Sequence, residues 1–389
     1  MKEENRRYAE EAFEIVEHAA KKIGSRLPGS DGEKEYAAYM GDKLRSIGIE
    51  PVREEFAVSP RASIGGIPYA GYLGLIMSAL VYVALHLSAV WYGMALASVV
   101  CWVWLILSVF LYKTWFDMFF KQEISQNTYG ELLPPDGKYD YTIILSGHTD
   151  TSWCWRHSAH ASKFKKTKPA MGLVATFAKV GFGVICFLFL TAVSIAMTVI
   201  SSGVYFGEVW ALKIANSASF ANFLFAMHFL PVVTAIGCMF VVMWADPNPR
   251  NASRGAMDNA TGCALSFAVT KYFHDHPEKM PKNCRIIDFN CGSEEAGLRG
   301  SIAFTREHKG EPILENTWNI NIDSVADKDF FEVVIKDDWQ FCRFDTDLEK
   351  MFKDTFNELG IVSKTTGCIH KQVGGCDSTP MTKTGMKSI

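Results

Sequence analysis

The chain has 389 residues, with 39 Lys and Arg against 42 Asp and Glu, so its formal net charge is -3. This near balance excludes a basic polynucleotide-binding protein and an acidic tail protein, and we expect no nucleic-acid partner. Hydrophobic residues make up 49% of the chain, enough for a large core, but they are unevenly spread. Stretches of 51, 28 and 32 residues contain no Asp, Glu, Lys or Arg, at 62–112, 180–207 and 214–245.

These uncharged stretches predict four transmembrane helices. A bilayer core needs about 20 apolar residues per helix, so the first stretch suffices for two spans and each of the others for one. We place the spans near Pro68–Leu87, Val90–Leu111, Val180–Ile200 and Phe220–Trp244. The alternative is a set of buried helices in a large soluble core, where so long an uncharged run is unusual. The predicted organisation is one soluble domain made of residues 1–61, 113–179 and 246–389, interrupted by transmembrane hairpins at 62–112 and 180–245.

The charges at the ends of these hairpins predict their orientation. Met1–Ser25 is charged throughout and lacks the apolar segment of a secretory signal, so we expect a cytoplasmic N-terminus. The loops on the far side carry only Glu208 and Lys213. The soluble side carries the basic residues Arg61, Lys113, Lys121, Lys163, Lys165, Lys166, Lys168, Arg250 and Arg254. The positive-inside rule therefore predicts a multi-pass cell-membrane protein with the lipid bilayer as partner and the soluble domain and both termini in the cytoplasm.

Helical and strand periods alternate outside the hairpins. The pattern predicts an amphipathic helix at Glu3–Ile23 and a second helix that begins with a Ser30/Glu33 capping box and ends at Gly48. Further strands are predicted at 52–58, 141–146, 285–290, 317–322 and 330–335, and further helices at 261–274 and 347–359. This alternation predicts an α/β fold with a mostly parallel mixed sheet and helices on both faces.

Four acidic or imidazole clusters follow predicted strands or begin a helix: His148-Thr149-Asp150, Asp258-Asn259, Glu294-Glu295 and Asp323. Ligands gather at the carboxyl ends of strands in α/β sheets, so these clusters could meet in one metal site for zinc or a similar ion. Each cluster has a plainer interpretation when taken alone. His-x-Asp is often a capped turn, adjacent glutamates often lie on a solvated helix face, and Asp258-Asn259 could be only the N-cap of the next helix.

Together with their neighbours, these clusters resemble a known family. The resemblance runs in family order through the segments Gly24–Ser30, Gly147–Asp150, Gly255–Gly262, Gly292–Ser301, Asn321–Asp323 and Gly374–Pro380. The chain resembles the co-catalytic di-zinc aminopeptidases of metallopeptidase family 28, which also includes glutamate carboxypeptidase-like and glutaminyl cyclase-like members. The fold implied is that of the zinc exopeptidases, also described as phosphorylase/hydrolase-like.

The resemblance implies a role for each matching residue. His148 and Asp323 would hold one zinc ion, Asp258 would bridge two, and Glu295 would bind the second, with Mn²⁺ or Co²⁺ as alternatives. Glu294 would be the general base that takes a proton from a metal-activated water and passes it to the leaving amine. Asp150 would orient the ring of His148 through its other nitrogen.

One position departs from the family pattern. Many relatives read Ser-Asp-His in the last segment, and the His completes the second zinc site, whereas here Asp377 is followed by Ser378. His370, eight residues upstream of Ser378, could replace that ligand, although it could equally be an ordinary surface residue. We favour instead a ligand beyond Ile389, because Gly385–Ile389 looks like the start of a strand and the chain could be truncated there.

The sequence thus predicts a membrane-anchored zinc exopeptidase, in particular an aminopeptidase acting on peptides. Alternatives are a catalytically inactive receptor or scaffold, carboxypeptidase or cyclase chemistry on the same fold, and a transport path regulated by the α/β domain. Transport is disfavoured because the predicted spans contain no Asp, Glu, Lys or Arg. Substrate preference and oligomeric state are not determined by the sequence.

Overall fold

The computed structural model describes residues 3–154, 169–244, 253–327, 331–368 and 375–389. The chain divides into two compact units. The first, here called the α/β unit, comprises Met1–Ile64, Ser108–Trp153 and Asn248–Ile389. The second, here called the helical unit, comprises Gly65–Leu107 and Cys154–Pro247.

The α-helices and strands follow in chain order. The helices are α1 (Glu3–His18), α2 (Asp31–Ser46), α3 (Ile67–Ala84), α4 (Ala89–Trp104), α5 (Pro169–Tyr205), α6 (Val209–Ala215), α7 (Ala218–Ala226), α8 (Leu230–Val242), α9 (Thr261–Asp275), α10 (Arg299–Glu307), α11 (Thr346–Glu358) and α12 (Ser378–Lys383). The strands are β1 (Val52–Val58), β2 (Glu123–Leu132), β3 (Tyr141–His148), β4 (Cys284–Cys291), β5 (Thr317–Asn321), β6 (Phe331–Asp337), β7 (Cys342–Arg343), β8 (Ser363–Gly367) and β9 (Lys387–Ser388).

A six-stranded mixed sheet forms the centre of the α/β unit. Its strand order is β1-β2-β4-β3-β5-β9. The pairs formed by β4 with β3, β3 with β5 and β5 with β9 are parallel, and the two pairs of β2 are antiparallel. The mostly parallel mixed sheet predicted from the sequence is therefore confirmed. Strand β2 was not predicted, because its buried centre is polar, with Ser125, Gln126, Asn127 and Thr128 in succession.

Both faces of this sheet are covered, as predicted. Side chains alternate between faces along a strand, so the neighbours Ile144 and Leu145 of β3 belong to different core clusters. Ile144 packs in the cluster that contains Phe304 of α10 and Met381 of α12. Leu145 packs in the cluster that includes Phe273 of α9. A further cluster joins α1, α2 and α9. The edge that carries the carboxyl ends of β3, β4 and β5 is thus held from both sides.

A second, three-stranded sheet has the order β7-β6-β8. The strand predicted at 330–335 lies here as β6, and its Val333 packs with Leu348 of α11 and with Ile389. The first two predicted helices are also present. Helix α1 continues as a π-helical turn, Ala19–Ile23, before Gly24 at φ +83°, and the chain leaves α2 through Gly48 at φ +77°.

The helical unit contains the apolar segments. Among the residues that the structure describes, three segments are long and apolar enough to cross a membrane: Ile64–Ala84, Ala89–Phe110 and Ala178–Tyr205. The single helix predicted at Phe220–Trp244 is wrong, because α7 and α8 meet at a 49° bend. Pro231 lies in the first turn of α8, and since proline has no backbone N–H and its ring clashes with the preceding turn, it favours a new helix start there. Taken as one broken span, this pair would be a fourth crossing.

Candidate metal centre

His148 ends β3 at the carboxyl edge of the sheet, opposite Cys291 of β4. The predicted strand was two residues too short, since β3 extends to His148 itself. The imidazole is 1% exposed, and its Nδ1 lies 3.2 Å from Asp150 Oδ1. Burial acts to lower the pKa of His148, but the hydrogen bonds to Asp150 and Asp258 and the charge of Glu294 raise it well above its usual value. The surroundings of the ring therefore favour positive charge.

Two carboxylates face the other ring nitrogen. His148 Nε2 lies 3.0 Å from Asp258 Oδ1 and 3.9 Å from Asp323 Oδ1. One ligand atom from each of the three residues lies within 4.8 Å of the others. The side chains of Asp258 and Asp323 are 45% and 35% exposed, so the group is accessible. One imidazole and two carboxylates are a donor set that zinc accepts. These residues fit a metal ion.

Asn259 joins the two segments that carry these aspartates. Its Nδ2 donates to Ile322 O at 2.9 Å, next to Asp323, and its Oδ1 accepts from Gly262 N at 2.9 Å in the first turn of α9. The N-cap residue of α9 is Ala260 rather than either member of this pair, but the Asn259 side chain still satisfies an otherwise unpaired N–H in the first turn of the helix. The same side chain holds the segments of Asp258 and Asp323 against each other.

Arg26 supports the site from the opposite side and was missed as a functional residue. It is fully buried, and its guanidinium donates to Thr149 O, Arg254 O and Gly255 O, each at 2.8 Å. Bonds from one rigid guanidinium therefore hold the segments that precede Asp150 and Asp258. The only signal for Arg26 in the sequence was its charge within the segment Gly24–Ser30. That segment resembles the family, but no function was assigned to any of its residues from the sequence.

Glu294 and Glu295 form a 3₁₀ turn, Glu294–Ala296, just after β4. Asp150 accepts hydrogen bonds from both backbone N–H groups of these glutamates at 2.9 Å. Asp150 therefore contacts the His148 ring and the turn at once. Glu294 Oε2 lies 3.9 Å from His148 Nε2, and the Glu294 side chain is 13% exposed.

Burial raises the pKa of both glutamates well above its usual value. The charge of His148 opposes this effect at both glutamates, whereas nearby carboxylates add to it: Glu295, Asp377 and Asp323 at Glu294, and Asp258 at Glu295. A buried carboxyl surrounded by other carboxylates can hold a proton near neutral pH, as a general acid or base must.

Glu33 lies behind this turn. Its carboxylate accepts from Ser293 N at 2.6 Å, Ser293 Oγ at 2.9 Å, Gly29 N at 2.7 Å and Ser125 Oγ at 2.9 Å. Burial and the charge of Asp150 raise the pKa of Glu33 to about 8. The predicted capping box is only half present: Ser30 Oγ accepts from Glu33 N at 3.4 Å, but the Glu33 carboxylate bonds to Gly29 rather than to Ser30. The other oxygen of the Glu33 carboxylate accepts both hydrogen bonds from Ser293.

The last segment lies beside the site. Asp377 is 1% exposed, accepts from Ser301 Oγ at 2.6 Å, and has its pKa raised by burial to about 6. Ser378 Oγ donates to Ile389 O at 2.8 Å, so its proton is committed to the backbone. Neither belongs to the group formed by His148, Asp258 and Asp323. His370 lies outside the described residues.

A cavity of about 410 Å³ opens beside the site within the α/β unit. Five acidic residues line it, and the described lining residues include no Lys or Arg. These acidic residues are Asp258, Glu294, Glu295, Asp323 and Glu332. The apolar wall is formed by Ile64, Tyr112, Leu298, Phe331, Val333, Phe352, Phe356 and Ile389, among others. The arrangement could bind an apolar group with a positively charged group beside it.

Comparison with known proteins adds a family match. Residues 239–389 match the model of peptidase family M28. This range contains Asp258, Glu294, Glu295 and Asp323, whereas His148 and Asp150 precede it. None of the curated proteins matches the chain.

Several solved structures are similar to this chain. BSAP, a zinc aminopeptidase from Bacillus subtilis, has 13% sequence identity and a TM-score of 0.48, with 98% of this chain and 84% of that chain covered. A glutaminyl cyclase from an Acidobacteriales bacterium has 12% identity and a TM-score of 0.49, with 98% and 77% covered. A leucine aminopeptidase precursor from Bacteroides thetaiotaomicron has 12% identity and a TM-score of 0.47, with 98% and 83% covered. The family match confirms, for residues 239–389, the resemblance to peptidase family M28 that the sequence motifs indicate.

Proposed function

We propose that the chain is a zinc-dependent aminopeptidase that removes N-terminal residues from peptides and is anchored in a membrane by its apolar helices. The observation that carries this proposal is the convergence of His148, Asp258 and Asp323 beside Glu294, at the edge of an acidic cavity. The family match over residues 239–389 supports the class of metallopeptidase.

The first zinc ion would be held by His148, Asp258 and Asp323. Bound there, zinc would polarise the scissile carbonyl and acidify a water molecule. A second ion would be held by Asp258 and Glu295, with its remaining ligand outside the described residues. Ser378 is a poor ligand for it, because its hydroxyl already bonds to Ile389 O. Mn²⁺ or Co²⁺ could replace zinc at the carboxylate-rich positions.

Glu294 would take a proton from the attacking water and deliver it to the leaving amine. Its position 3.9 Å from His148 Nε2, its low exposure and its raised pKa suit this task. Asp150 would act by positioning, since it holds the His148 ring and the Glu294 backbone together.

The charge of the cavity favours cleavage at the N-terminal end of a peptide. Bound zinc would offset the charge of Asp258, Glu295 and Asp323, which leaves Glu294 and Glu332 to attract an α-ammonium group. A C-terminal carboxylate would find no Arg or Lys among the described lining residues to pair with it. Aminopeptidase chemistry is therefore preferred to carboxypeptidase chemistry. Cyclisation of an N-terminal glutamine also uses a free amine and stays open as a second activity.

The proposed location is a cell membrane, with the α/β unit and both termini in the cytoplasm. It is supported by the three apolar segments long enough to span a bilayer and by the basic residues that flank them. A tag at either end should be cleaved by an added protease only after cells are opened. Cleavage in intact cells would show that the termini lie outside the cell and would contradict the proposed orientation.

The test uses the full-length protein in lipid nanodiscs. Glu294→Gln should lower hydrolysis of aminoacyl p-nitroanilides by about 10²–10⁴-fold, because the general base is removed. Zinc measured by mass spectrometry should stay at the wild-type level, about two ions per chain if both sites are filled. The matched control is Glu50→Gln, whose side chain is 82% exposed in the α/β unit. Unchanged turnover in Glu294→Gln would remove Glu294 as base.

Substrates blocked at one end distinguish the remaining alternatives. Acetylation of the substrate amine should abolish cleavage, whereas amidation of the far carboxyl group should leave it intact. The reverse pattern would establish a carboxypeptidase. Ammonia release from glutaminyl peptides without cleavage would establish a cyclase. Zinc-bound protein inactive on all three substrate classes would support the receptor or scaffold alternative.

A further inference from the structure

A short segment directly after the second candidate span is unusually apolar at its surface. The span Ala89–Phe110 ends three residues before Lys113. In the following turn, Trp115, Met118 and Phe119 are 68%, 75% and 72% exposed. Trp115 is five residues beyond Phe110, so their Cα atoms are at most roughly 18 Å apart. These side chains are largely exposed and lie within reach of the end of the span.

A second segment of the α/β unit meets the same point of the chain. In the turn between β6 and β7, Gln340 Nε2 donates to Phe110 O at 2.7 Å, and the rings of Trp339 and Phe110 are 4.6 Å apart. The next residue, Phe341, is 94% exposed. Two segments more than 200 residues apart in sequence therefore present large apolar side chains around Phe110.

Basic groups surround these side chains. Lys113 and Lys121 flank the first segment, and the Lys121 side chain is 86% exposed. Lys383 Nζ donates to Gln340 Oε1 at 2.7 Å. Of the nearby acids, Asp117 is paired with Arg299 at 3.0 Å and Glu123 with Lys121 at 2.5 Å. With these pairs set aside, Lys113 and Lys383 remain, so the charge available to a partner is positive.

We propose that Trp115, Met118, Phe119 and Phe341 form an interfacial surface that inserts into the headgroup region of the lipid bilayer. This proposal rests on the membrane crossing in the proposed function. Aromatic side chains prefer the boundary between acyl chains and water, and lysines beside them are attracted to anionic headgroups. A lipid is the expected occupant because the surface continues directly from a candidate span.

The interfacial surface is connected to the cavity. The buried Arg299 donates to Asp117 Oδ1 at 3.0 Å and to Tyr112 O at 3.1 Å. Tyr112 lines the cavity, and Arg299 begins α10 just after the Glu294 turn. Insertion of the surface into lipid would hold this wall of the cavity in place, and peptides at the membrane surface would reach the site most readily.

The test is photo-cross-linking of the full-length protein in nanodiscs that contain anionic lipid. p-Benzoylphenylalanine is introduced singly at Phe119, at Phe341, at Leu96 in α4 and at Phe13 in α1. Leu96 and Phe13 are each 68% exposed, so they serve as the reference positions inside a candidate span and on the α/β unit away from Phe110. Lipid adducts are counted by mass spectrometry of the tryptic peptides.

Lipid adducts are expected at Phe119 and Phe341 as well as at Leu96. No lipid adduct is expected at Phe13. Adducts at Leu96 alone would overturn the interfacial surface and leave the membrane crossing intact. Absence of adducts at Leu96 and at both proposed positions would overturn the crossing and the surface together. Protein adducts at Phe119 in place of lipid would show that a second copy covers the surface, and equal yields at Phe13 would reveal only unspecific contact.

Discussion

Polar side chains are used differently in the two units. In the helical unit many of them bond to the carbonyl four residues back in their own helix, as Ser194 Oγ does with Leu190 O at 2.7 Å. In the α/β unit they join distant parts of the chain, as Glu33 does with Ser293 across 260 positions. A local bond leaves a helix complete by itself, whereas a distant bond fixes one segment against another. The candidate metal centre depends on distant bonds.

Close packing in the helical unit depends on small residues instead. A Cβ atom added at Gly237 of α8 would collide with Cys186 Sγ of α5, and one added at Gly183 would collide with Gly237 O. Small residues that let helix backbones approach are typical of helix pairs in membranes. The following variants test this contrast, from the largest expected effect to the smallest.

Asp150→Asn tests the distant bonds most directly. The amide cannot accept from both backbone N–H groups of the Glu294 turn and also orient the His148 ring. We expect zinc affinity to fall by about 10–100-fold, measured by competition with a chromogenic chelator. The control, Asp136→Asn, changes an exposed turn residue that bonds only locally to Lys138 N, and it should bind zinc normally. Equal zinc affinity in both variants would show that Asp150 does not support the metal site.

Glu33→Gln tests the support of the turn. An amide brings its own N–H groups to a place where Ser293, Gly29 and Ser125 all donate, so at least one buried donor is left without an acceptor. The expected loss in free energy of unfolding is about 1–3 kcal/mol, seen as a lower midpoint in thermal unfolding. Glu35→Gln, at an exposed position of the same helix, is the matched control and should unfold as the wild type does.

Gly237→Ala and Gly93→Ala should change stability in opposite directions. Overpacking against Cys186 should destabilise the helical unit by about 1–3 kcal/mol. Gly93 lies in α4 with no heavy atom within 4 Å of an added Cβ, so alanine there should stabilise the helix by up to about 1 kcal/mol. Thermal unfolding in nanodiscs measures both. Unchanged or higher stability in Gly237→Ala would contradict the close approach of α5 and α8.

Asp288→Asn should alter the pH dependence of stability. Burial raises the pKa of Asp288 to about 7 in the folded protein, from 3.8 in the unfolded chain. Between these values the folded state binds more protons than the unfolded state, so the contribution of Asp288 falls as pH rises from about 4 to about 7. The variant should therefore lose less thermal stability than the wild type between pH 5 and pH 8. An identical loss would show that Asp288 is already ionised in the folded protein.

Local patterns in the sequence were sufficient to predict most of the helices and strands of the α/β unit. Strand β1 was predicted with its observed ends, and α9 and α11 within one residue at each end. Strand β2 was missed because burial of Ser125–Thr128 follows from their neighbours rather than from their own polarity. The bend at Pro231 was missed because a run without charge was treated as one continuous helix.

The sequence by itself determined where charge is absent, where strands and helices alternate, and which motifs carry donors for a metal ion. Only the tertiary structure decided that Arg26 and Glu33, which looked like an ordinary charge and a helix cap, support the segments around His148 and Glu294. The tertiary structure also showed that Ser378 Oγ donates a hydrogen bond to the backbone oxygen of Ile389. The physical reason is range: periodicity and capping act within a few residues, whereas a buried charge is stabilised by whichever distant groups the fold brings to it.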